Sequence, residues 1–217
     1  MPDLTTTIAG ESVLLMPERA LYWPRGGALF VADLHWGKAA AFRAAAIAVP
    51  EQATAADLAR LDAALERSGA RQLYLLGDLF HARSGRSDPT LAAIAAWRAR
   101  HPELAIVLVR GNHDKHAGDP PADWGIDCVS EPYPRLLFVL RHTPEPDERG
   151  YVLAGHLHPA VALHGRGRQR ERLPCFLFGQ QYGLLPAFGS FTGSATIQPT
   201  AQDRVFVVAG DSVIAVQ

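Results

Sequence analysis

The chain has 217 residues, of which 48% are hydrophobic and 20% are charged. This balance is close to that of an average globular protein and excludes disordered and collagen-like chains. The formal net charge of −1 gives no long-range field that attracts polyanions, so any contact with nucleic acid has to come from local basic patches. At this length we expect one domain over residues 1–217, with a sizeable core.

The two cysteines, Cys128 and Cys175, are too few for a disulfide framework or a cysteine zinc site. We expect reduced, buried thiols, which favour a cytoplasmic protein. The first residues lack a basic region followed by an apolar core, and the alanine-rich run at 39–49 is interrupted by Arg43. We therefore expect neither a signal peptide nor a membrane span.

Four short apolar runs, each followed at once by polar residues, form the main pattern along the chain. Such a pattern is typical of buried strands that end in functional loops. The runs and their polar clusters are 28–32 with Asp33-Leu34-His35, Gln72–Leu76 with Gly77-Asp78-Leu79-Phe80-His81, Ala105–Val109 with Gly111-Asn112-His113-Asp114, and Tyr151–Ala154 with Gly155-His156-Leu157-His158.

Two helices are predicted between the first three runs. Thr54 with Asp57 is expected to cap the first helix, and Ser87-Asp88-Pro89 is expected to begin the second. Alternating strands and helices predict parallel strands with right-handed crossovers, which bring the loops after the strands to one edge of a sheet. The apolar positions at helical spacing are Leu58, Leu61 and Leu65 in the first helix, and Leu91, Ile94 and Trp97 in the second.

After Asp114 the sequence changes to proline-rich loops and short strands, which predicts a second sheet. Its strands include the run at 136–140 and a closing hairpin, in which 205–208 and 213–216 flank Gly210-Asp211.

The strand-end clusters contain Asp, Asn and His but no cysteine. Hard divalent cations such as Mn²⁺ and Mg²⁺ accept carboxylate, amide oxygen and imidazole ligands. On an extended segment, Asp33 and His35 would point the same way and suit one ion, and His156 with His158 repeats that spacing. Asp78 can bridge two ions through its two oxygens. One such motif is usually structural, but four in order favour a metal site.

Together these motifs resemble those of the calcineurin-like metallophosphoesterases, whose order D-x-H, G-D, G-N-H-D/E, H, G-H-x-H is matched over residues 33–158. The resemblance implies an α/β fold, a four-layer αββα sandwich of two mixed β-sheets flanked by helices. It also implies two divalent metal ions. Asp33, His35, Asp78 and His158 would hold one ion, and Asp78, Asn112, His142 and His156 the other. His142 is assigned by the resemblance alone.

Two ions about 3.5 to 4 Å apart lower the pKa of a bridging water, so we expect phosphodiester hydrolysis by a metal-bridging hydroxide without a covalent enzyme intermediate. The resemblance implies that His113 contacts the phosphate or protonates the leaving oxygen, with Asp114 orienting its ring. A structural role beside Asn112 is the alternative for His113. We expect Mn²⁺, although Mg²⁺, Fe²⁺ and Zn²⁺ accept the same ligands. The histidines expected to be solvated are His101, His116 and His164.

Residues outside the predicted metal-ligand set also indicate the class of substrate. The Gly-Asp-Leu-Phe-His form at 77–81 is similar to that of the metallophosphoesterase nucleases of double-strand-break repair, in which this histidine lies near the phosphate. His81 is expected either to position a phosphodiester or to pack beside the site. A closer similarity is to the bacterial ligase-associated DNA damage response endonucleases, through 33–38, Phe42-Arg43, 155–159 and 186–193. Trp36 departs from that pattern, where a smaller aliphatic residue is expected.

That subfamily implies a DNA endonuclease of DNA repair, encoded beside an ATP-dependent DNA ligase, an exonuclease and a helicase. Only 28 residues separate His113 from His142, too few for a cap domain, so we expect an open groove that admits a polymer. An enzyme for small phosphoesters or cyclic nucleotides is the second hypothesis. A scaffold without chemistry is the third, but it has no reason to retain seven ligands.

Basic residues near these motifs are candidates for contacts with a phosphate backbone. Lys38 and Arg43 follow the first cluster, and four arginines alternate in a glycine-containing stretch. A solvated loop is the alternative for this charged stretch. Its arginines are Arg166, Arg168, Arg170 and Arg172.

Overall fold

The computed structural model describes residues 3–49, 52–164 and 170–217. Its strands are β1 Leu4–Ile8, β2 Glu11–Met16, β3 Ala20–Trp23, β4 Ala28–Val31, β5 Gln72–Leu76, β6 Ala105–Val109, β7 Ile126–Val129, β8 Tyr133–Arg135, β9 Phe138–Leu140, β10 Tyr151–Ala154, β11 Pro159–His164, β12 Arg170–Phe178, β13 Tyr182–Leu184, β14 Ala195–Thr196, β15 Arg204–Ala209 and β16 Ser212–Ala215. Its α-helices are α1 Lys38–Ala44, α2 Ala53–Ser68, α3 Asp88–Arg100 and α4 Asp114–Ala117.

The first sheet contains β1 to β7 side by side in chain order. β1 to β4 pair antiparallel, whereas β4 to β7 pair parallel. The predicted parallel arrangement of the first three runs is therefore confirmed. Because β4, β5 and β6 run in the same direction, their carboxyl ends lie at one edge of the sheet. The antiparallel strands β1 to β3 extend the sheet beyond what the sequence pattern predicted.

Helices α2 and α3 cover one face of the first sheet. Their predicted apolar positions are buried, except for the partly buried Leu91. Burial of each large side chain of this kind stabilises the fold by roughly 1.5–3 kcal/mol. Proline lies in the first turn of α3, as predicted, but Ser87 makes no side-chain capping bond.

The predicted cap of α2 is wrong. The helix makes no side-chain capping bond at its start. Thr54 Oγ1 instead accepts the Gly37 N–H (3.4 Å), and Asp57 accepts the Ser190 N–H (2.9 Å). Both side chains are engaged by distant parts of the chain, and these tertiary contacts take precedence over local capping.

The second sheet runs β14-β11-β12-β13-β10-β9-β8, with β15 and β16 attached through β12. The predicted closing hairpin is confirmed, with Val208 opposite Val213 in the β15–β16 register. The predicted strand at 136–140 is shorter than expected, because Leu136 and Leu137 form an exposed turn before β9. The facing sheets bury a shared aromatic core, in which Trp23 packs edge-on against Phe138 at 5.2 Å between ring centroids.

The prediction of an α/β fold with two mixed sheets flanked by helices is confirmed. The fourth layer, a helical layer outside the second sheet, is absent from the described residues after 125, which form strands and loops only. On the second sheet, partly buried residues, Ile197 among them, pack against a cluster of buried side chains. Within the described ranges, no helix is long and apolar enough to cross a bilayer.

Both cysteines are free; Cys175 is buried and Cys128 is half-buried. Burial raises the pKa of Cys175 to about 12 and that of Cys128 to about 11, so both stay protonated near neutral pH. Of the alternating arginines, Arg170 and Arg172 lie exposed on β12. Arg166 and Arg168 lie outside the described residues.

Candidate metal centre

The loops after β4 and β5 are joined by backbone hydrogen bonds at the edge of the first sheet. The His35 N–H donates to the Asp78 carbonyl (2.9 Å), and the Trp36 N–H donates to the Leu79 carbonyl (2.8 Å). The loop after β13 reaches the same edge, because the Phe188 N–H donates to the Ala32 carbonyl (2.7 Å). A segment from the second half of the chain therefore meets the first sheet where the polar clusters lie.

One group of predicted ligands forms around His35. Its Nε2 lies 3.3 Å from His158 Nε2 and 3.7 Å from Asp78 Oδ2. His158 Nε2 also lies 3.7 Å from Asp33 Oδ1. The pKa of His35 is lowered to about 2, mainly by burial and secondly by the charge of His158. This ring is therefore neutral and keeps a lone pair for a cation. These four residues are the set expected to hold one ion.

A second group forms around His142, which is 1% exposed. Its Nε2 lies 2.9 Å from Asn112 Oδ1, 2.9 Å from His156 Nδ1 and 3.5 Å from Asp78 Oδ2. Asp78 thus belongs to both groups, through the same oxygen. Its other oxygen, Oδ1, accepts the His113 N–H (2.9 Å). We expected Asp78 to direct one oxygen toward each group. In the structure, Oδ2 alone faces both groups.

The donor atoms of the two groups fit divalent cations. His142 Nδ1 donates to the Leu76 carbonyl (3.1 Å) and His158 Nδ1 to the Gly193 carbonyl (3.0 Å). Since a carbonyl only accepts, each Nδ1 carries the hydrogen of its bond, and Nε2 is the ring nitrogen that faces the ligand group. Asp33 is fully buried, and its Oδ1 has no hydrogen-bond partner among the described residues. A buried carboxylate oxygen without a donor is unfavourable unless a cation lies beside it.

The backbone at the predicted ligands is strained. Both residues of the Asp33/His35 pair, both residues of the His156/His158 pair, and Asp78 have left-handed φ values. This conformation costs a residue other than glycine about 1–2 kcal/mol. The prediction of extended segments at 33–35 and 156–158 is therefore wrong, because both residues of each pair turn through positive φ. The values are 54° for Asp33, 47° for His35, 53° for Asp78, 71° for His156 and 47° for His158.

Asp114 does not orient the His113 ring, contrary to expectation. Its Oδ2 accepts the backbone N–H groups of Asp78 and Gly111 (both 2.8 Å), and its Oδ1 accepts that of Leu79 (3.0 Å). The carboxylate therefore joins the loops after β5 and β6. Burial raises the pKa of Asp114.

The His113 ring is held instead by the loop after β5. His113 Nδ1 donates to the His81 carbonyl (2.7 Å), which leaves Nε2 available for other contacts. The His81 ring stacks on His113, with centroids 5.1 Å apart. Burial, followed by the charge of Lys38, lowers the pKa of His81 to about 4. Ring nitrogens of His35, His81 and His113 lie within 4.8 Å of one another. Since His35 belongs to the first ligand group, His81 and His113 both lie beside that group.

The two other basic candidates occupy different places. Lys38 lines a cavity with Phe42 and Phe191 next to the ligand loops, and burial lowers its pKa. Arg43 NH1 donates to the Val49 carbonyl (3.5 Å) and lines a separate cavity beside α3. The structure therefore does not bring Arg43 to the cavity of Lys38.

The histidines outside the motifs differ from expectation at one position. His101 is not solvated, because its Nε2 lies 2.7 Å from Asp62 Oδ1 and its ring packs on Trp97. His116 is exposed, as expected. The side chain of His164 lies outside the described residues.

One positioning residue was missed by the sequence analysis. Glu131 Oε2 accepts the backbone N–H groups of His142 (2.8 Å) and Thr143 (3.0 Å), and Oε1 accepts the Thr143 hydroxyl (3.1 Å). This carboxylate fixes the start of the loop that carries His142. Glu131 lies in no motif, so no signal in the sequence distinguishes it.

A family model of the calcineurin-like phosphoesterases matches residues 28–211. The chain belongs to the calcineurin-like phosphoesterase family. Members of this family are hydrolases of phosphoester bonds that use divalent metals, which agrees with the donor atoms gathered here.

Two solved structures resemble this chain to different extents. The calcineurin-like phosphoesterase chain is similar to the crystal structure of Pseudomonas putida nuclease MPE, with 44% identity, a TM-score of 0.85 and coverage of 95% of this chain and 97% of that chain. It also matches Yfce, a phosphoesterase from E. coli, with 16% identity, a TM-score of 0.42 and coverage of 86% of this chain and 90% of that chain. No curated protein matches the chain.

Proposed function

We propose that this calcineurin-like phosphoesterase is a binuclear, metal-dependent phosphodiesterase that cleaves DNA as an endonuclease. The observation that carries the proposal is the sharing of Asp78 Oδ2 between two ligand groups, 3.7 Å from His35 Nε2 and 3.5 Å from His142 Nε2. The similarity to a nuclease over nearly the whole length of both chains supports the choice of substrate.

The chain's own residues divide into two sites. We assign Asp33, His35, Asp78 and His158 to one ion, and Asp78, Asn112, His142 and His156 to the other, with Mn²⁺ as the proposed metal. Two such cations would supply a nucleophilic hydroxide near neutral pH and neutralise the phosphate oxygens.

His113 is the proposed catalytic residue outside the ligand set. Its Nδ1–H is committed to the His81 carbonyl, so Nε2 is the atom that contacts the phosphate and holds the proton for the leaving oxygen. The bond from the His113 N–H to Asp78 Oδ1 fixes this residue relative to the shared carboxylate. His81 and Lys38 are proposed to position the substrate phosphate from the same side. Asp114 supports the site through the backbone.

An open site favours a polymeric substrate. Residues 114–141 form α4, a short 3-10 turn and the strands β7 to β9, and strands of both sheets are included among them. The chain is thus proposed to act as one catalytic domain without a cap, so that a strand can lie across the ligand loops. By similarity to its subfamily, we propose a cytoplasmic role in DNA repair together with an ATP-dependent DNA ligase, an exonuclease and a helicase.

The proposed function is tested by substrate preference with Mn²⁺. Bis-p-nitrophenyl phosphate, p-nitrophenyl phosphate, and single-stranded, nicked and duplex DNA would be compared, including circular single strands that present no ends. We expect hydrolysis of the diester and cleavage of at least one DNA, with circles opened. Preference for the monoester without cleavage of any DNA would contradict the proposal and favour an enzyme for small phosphoesters.

A further inference from the structure

A cavity of about 170 Å³ lies beside the metal centre and shares His158 as a wall. Its other lining residues include two arginines from distant parts of the chain, Arg19 before β3 and Arg172 on β12, together with the hydroxyl-bearing Ser190 and Ser194. None of the described residues that line it is acidic. The cavity therefore offers hydrogen-bond donors and positive charge but no opposing carboxylate.

Arg19 faces this cavity without a counter-charge of its own. Its NH1 donates to the Ala187 carbonyl (3.3 Å), and no carboxylate in the described part of the chain forms an ion pair with it. The nearby carboxylate of Asp57 is already engaged by Arg60 (2.8 Å) and by the Ser190 N–H (2.9 Å). Burial, followed by the charge of Arg60, lowers the pKa of Arg19, yet a guanidinium stays protonated at neutral pH.

Arg172 completes the donor set from the opposite sheet. It pairs with Ala162 in the β11–β12 register, and its exposed side chain makes no ion pair with a described carboxylate. A guanidinium presents paired N–H donors that match two oxygens of a phosphate. Two such groups facing one polar cavity are suited to an anion with several oxygens.

The segment 190–193 lines this cavity and contacts the proposed ligand His158. Gly193 accepts the Nδ1–H of the proposed ligand His158 (3.0 Å), and Thr192 Oγ1 donates to the Gly189 carbonyl (2.8 Å). The segment thus fixes the imidazole on one side and lines the cavity on the other. An anion bound there lies next to, and apart from, the ions that would hold the scissile phosphate.

We propose that the cavity of Arg19 and Arg172 is a binding subsite for a second phosphate of the substrate strand, one nucleotide away from the phosphate that is cleaved. The proposal rests on the proposed phosphodiesterase function. It assigns a role to Arg19 and Arg172, which the metal chemistry leaves without one. The subsite makes a strand with neighbouring phosphates a better ligand than an isolated phosphoester.

The test uses the Mn²⁺-loaded full chain and three inhibitors of bis-p-nitrophenyl phosphate hydrolysis: thymidine 3′,5′-bisphosphate, thymidine 3′-monophosphate and thymidine 5′-monophosphate. Thymidine 3′,5′-bisphosphate carries two phosphates on one nucleoside, whereas each thymidine monophosphate carries one. We expect the bisphosphate to inhibit wild type roughly tenfold more tightly than either monophosphate, which corresponds to about 1.4 kcal/mol from the added charged contact. Arg172→Gln should reduce this ratio to near one.

Arg71→Gln is the matched control, because Arg71 is exposed and lies before β5, at the opposite end of that strand from the metal centre. It should keep the wild-type ratio. Arg172 is preferred over Arg19 as the tested position, since Arg19 also donates to the Ala187 carbonyl and its replacement would remove this structural contact. A wild-type ratio of one, or an unchanged ratio in Arg172→Gln, overturns the subsite. Absence of DNA cleavage with the ratio preserved overturns the proposed nuclease function but not the subsite.

Discussion

At the scale of single residues, the proposed chemistry depends on imidazoles in which Nδ1 and Nε2 have separate roles. In His142 and His158 the Nδ1–H is bound by a carbonyl, and Nε2 faces the ligand group. His113 follows the same rule with the His81 carbonyl, but its Nε2 is not needed for metal binding in our assignment. Carbonyl contacts of this kind set the tautomer and so decide which atom is available.

Replacing His113 separates catalysis from metal binding. His113→Ala should keep both Mn²⁺ ions but lower kcat for bis-p-nitrophenyl phosphate by roughly 10²- to 10⁴-fold, because the group that contacts the phosphate and leaving oxygen is lost. Bound manganese and steady-state kinetics are measured on the same preparation.

His116→Ala is the control for this prediction, since His116 is an exposed histidine in the same short helix α4. It should retain wild-type turnover. Full activity in His113→Ala, or a loss of manganese equal to its loss of turnover, would contradict the assigned role.

Single residues also show what the sequence can and cannot predict. The predicted ligands Asp33, Asp78 and His156 follow apolar runs, so their convergence could be inferred from strand direction. The hydrogen-bond partners of Asp114 could not be inferred, because a carboxylate accepts a hydrogen bond from either an imidazole or a backbone N–H. That choice depends on where the loops after β5 and β6 lie in space. Glu131 was missed for the same reason.

At the scale of elements, glycines allow the strand ends to approach the metal centre. Gly77 follows β5 directly and has φ 81°, and a Cβ at this position would lie 2.1 Å from His142 Nδ1. At Gly111, which follows β6, a Cβ would lie 2.3 Å from Asp78 Oδ1. These residues are required by the close approach of ligand side chains as well as by backbone conformation.

Gly77→Ala therefore should displace the His142 ring and weaken metal binding. We expect fewer than two Mn²⁺ per chain and at least a tenfold loss of kcat/KM, measured by metal analysis and diester hydrolysis. The control is Gly10→Ala in the β1–β2 turn, where φ is 82° and a Cβ meets nothing within 4 Å. It should lose about 1–2 kcal/mol of stability from its left-handed backbone but bind metal normally. Equal manganese in both variants would rule out the steric explanation.

The elements were predictable where a buried run or a helical period was continuous. β5, β6, α2 and the hairpin of β15 with β16 follow such patterns. β1 was not predicted, because its Leu-Thr-Thr-Thr-Ile sequence contains no continuous apolar run. The exposed turn at Leu136 and Leu137 was taken for strand, since apolar residues in a turn are distinguished only by their tertiary surroundings.

At the scale of the whole molecule, two sheets bring loops from both halves of the chain to one edge. Residues 28–112 carry the proposed ligands of the first sheet, and residues 142–158 carry proposed ligands next to strands of the second. The packing of the sheets could be expected only from the family resemblance. Periodicity identifies apolar faces, but it does not specify that Trp23 and Phe138 pack against each other.

The number of Mn²⁺ ions bound per chain tests the central claim most directly. Equilibrium dialysis of the metal-free protein against Mn²⁺, followed by metal analysis, should give two ions per chain in wild type. Asp78→Asn should weaken both sites together, because Asp78 Oδ2 faces both ligand groups. A single ion per wild-type chain, or an Asp78→Asn variant that loses one ion and holds the other with unchanged affinity, would contradict the account.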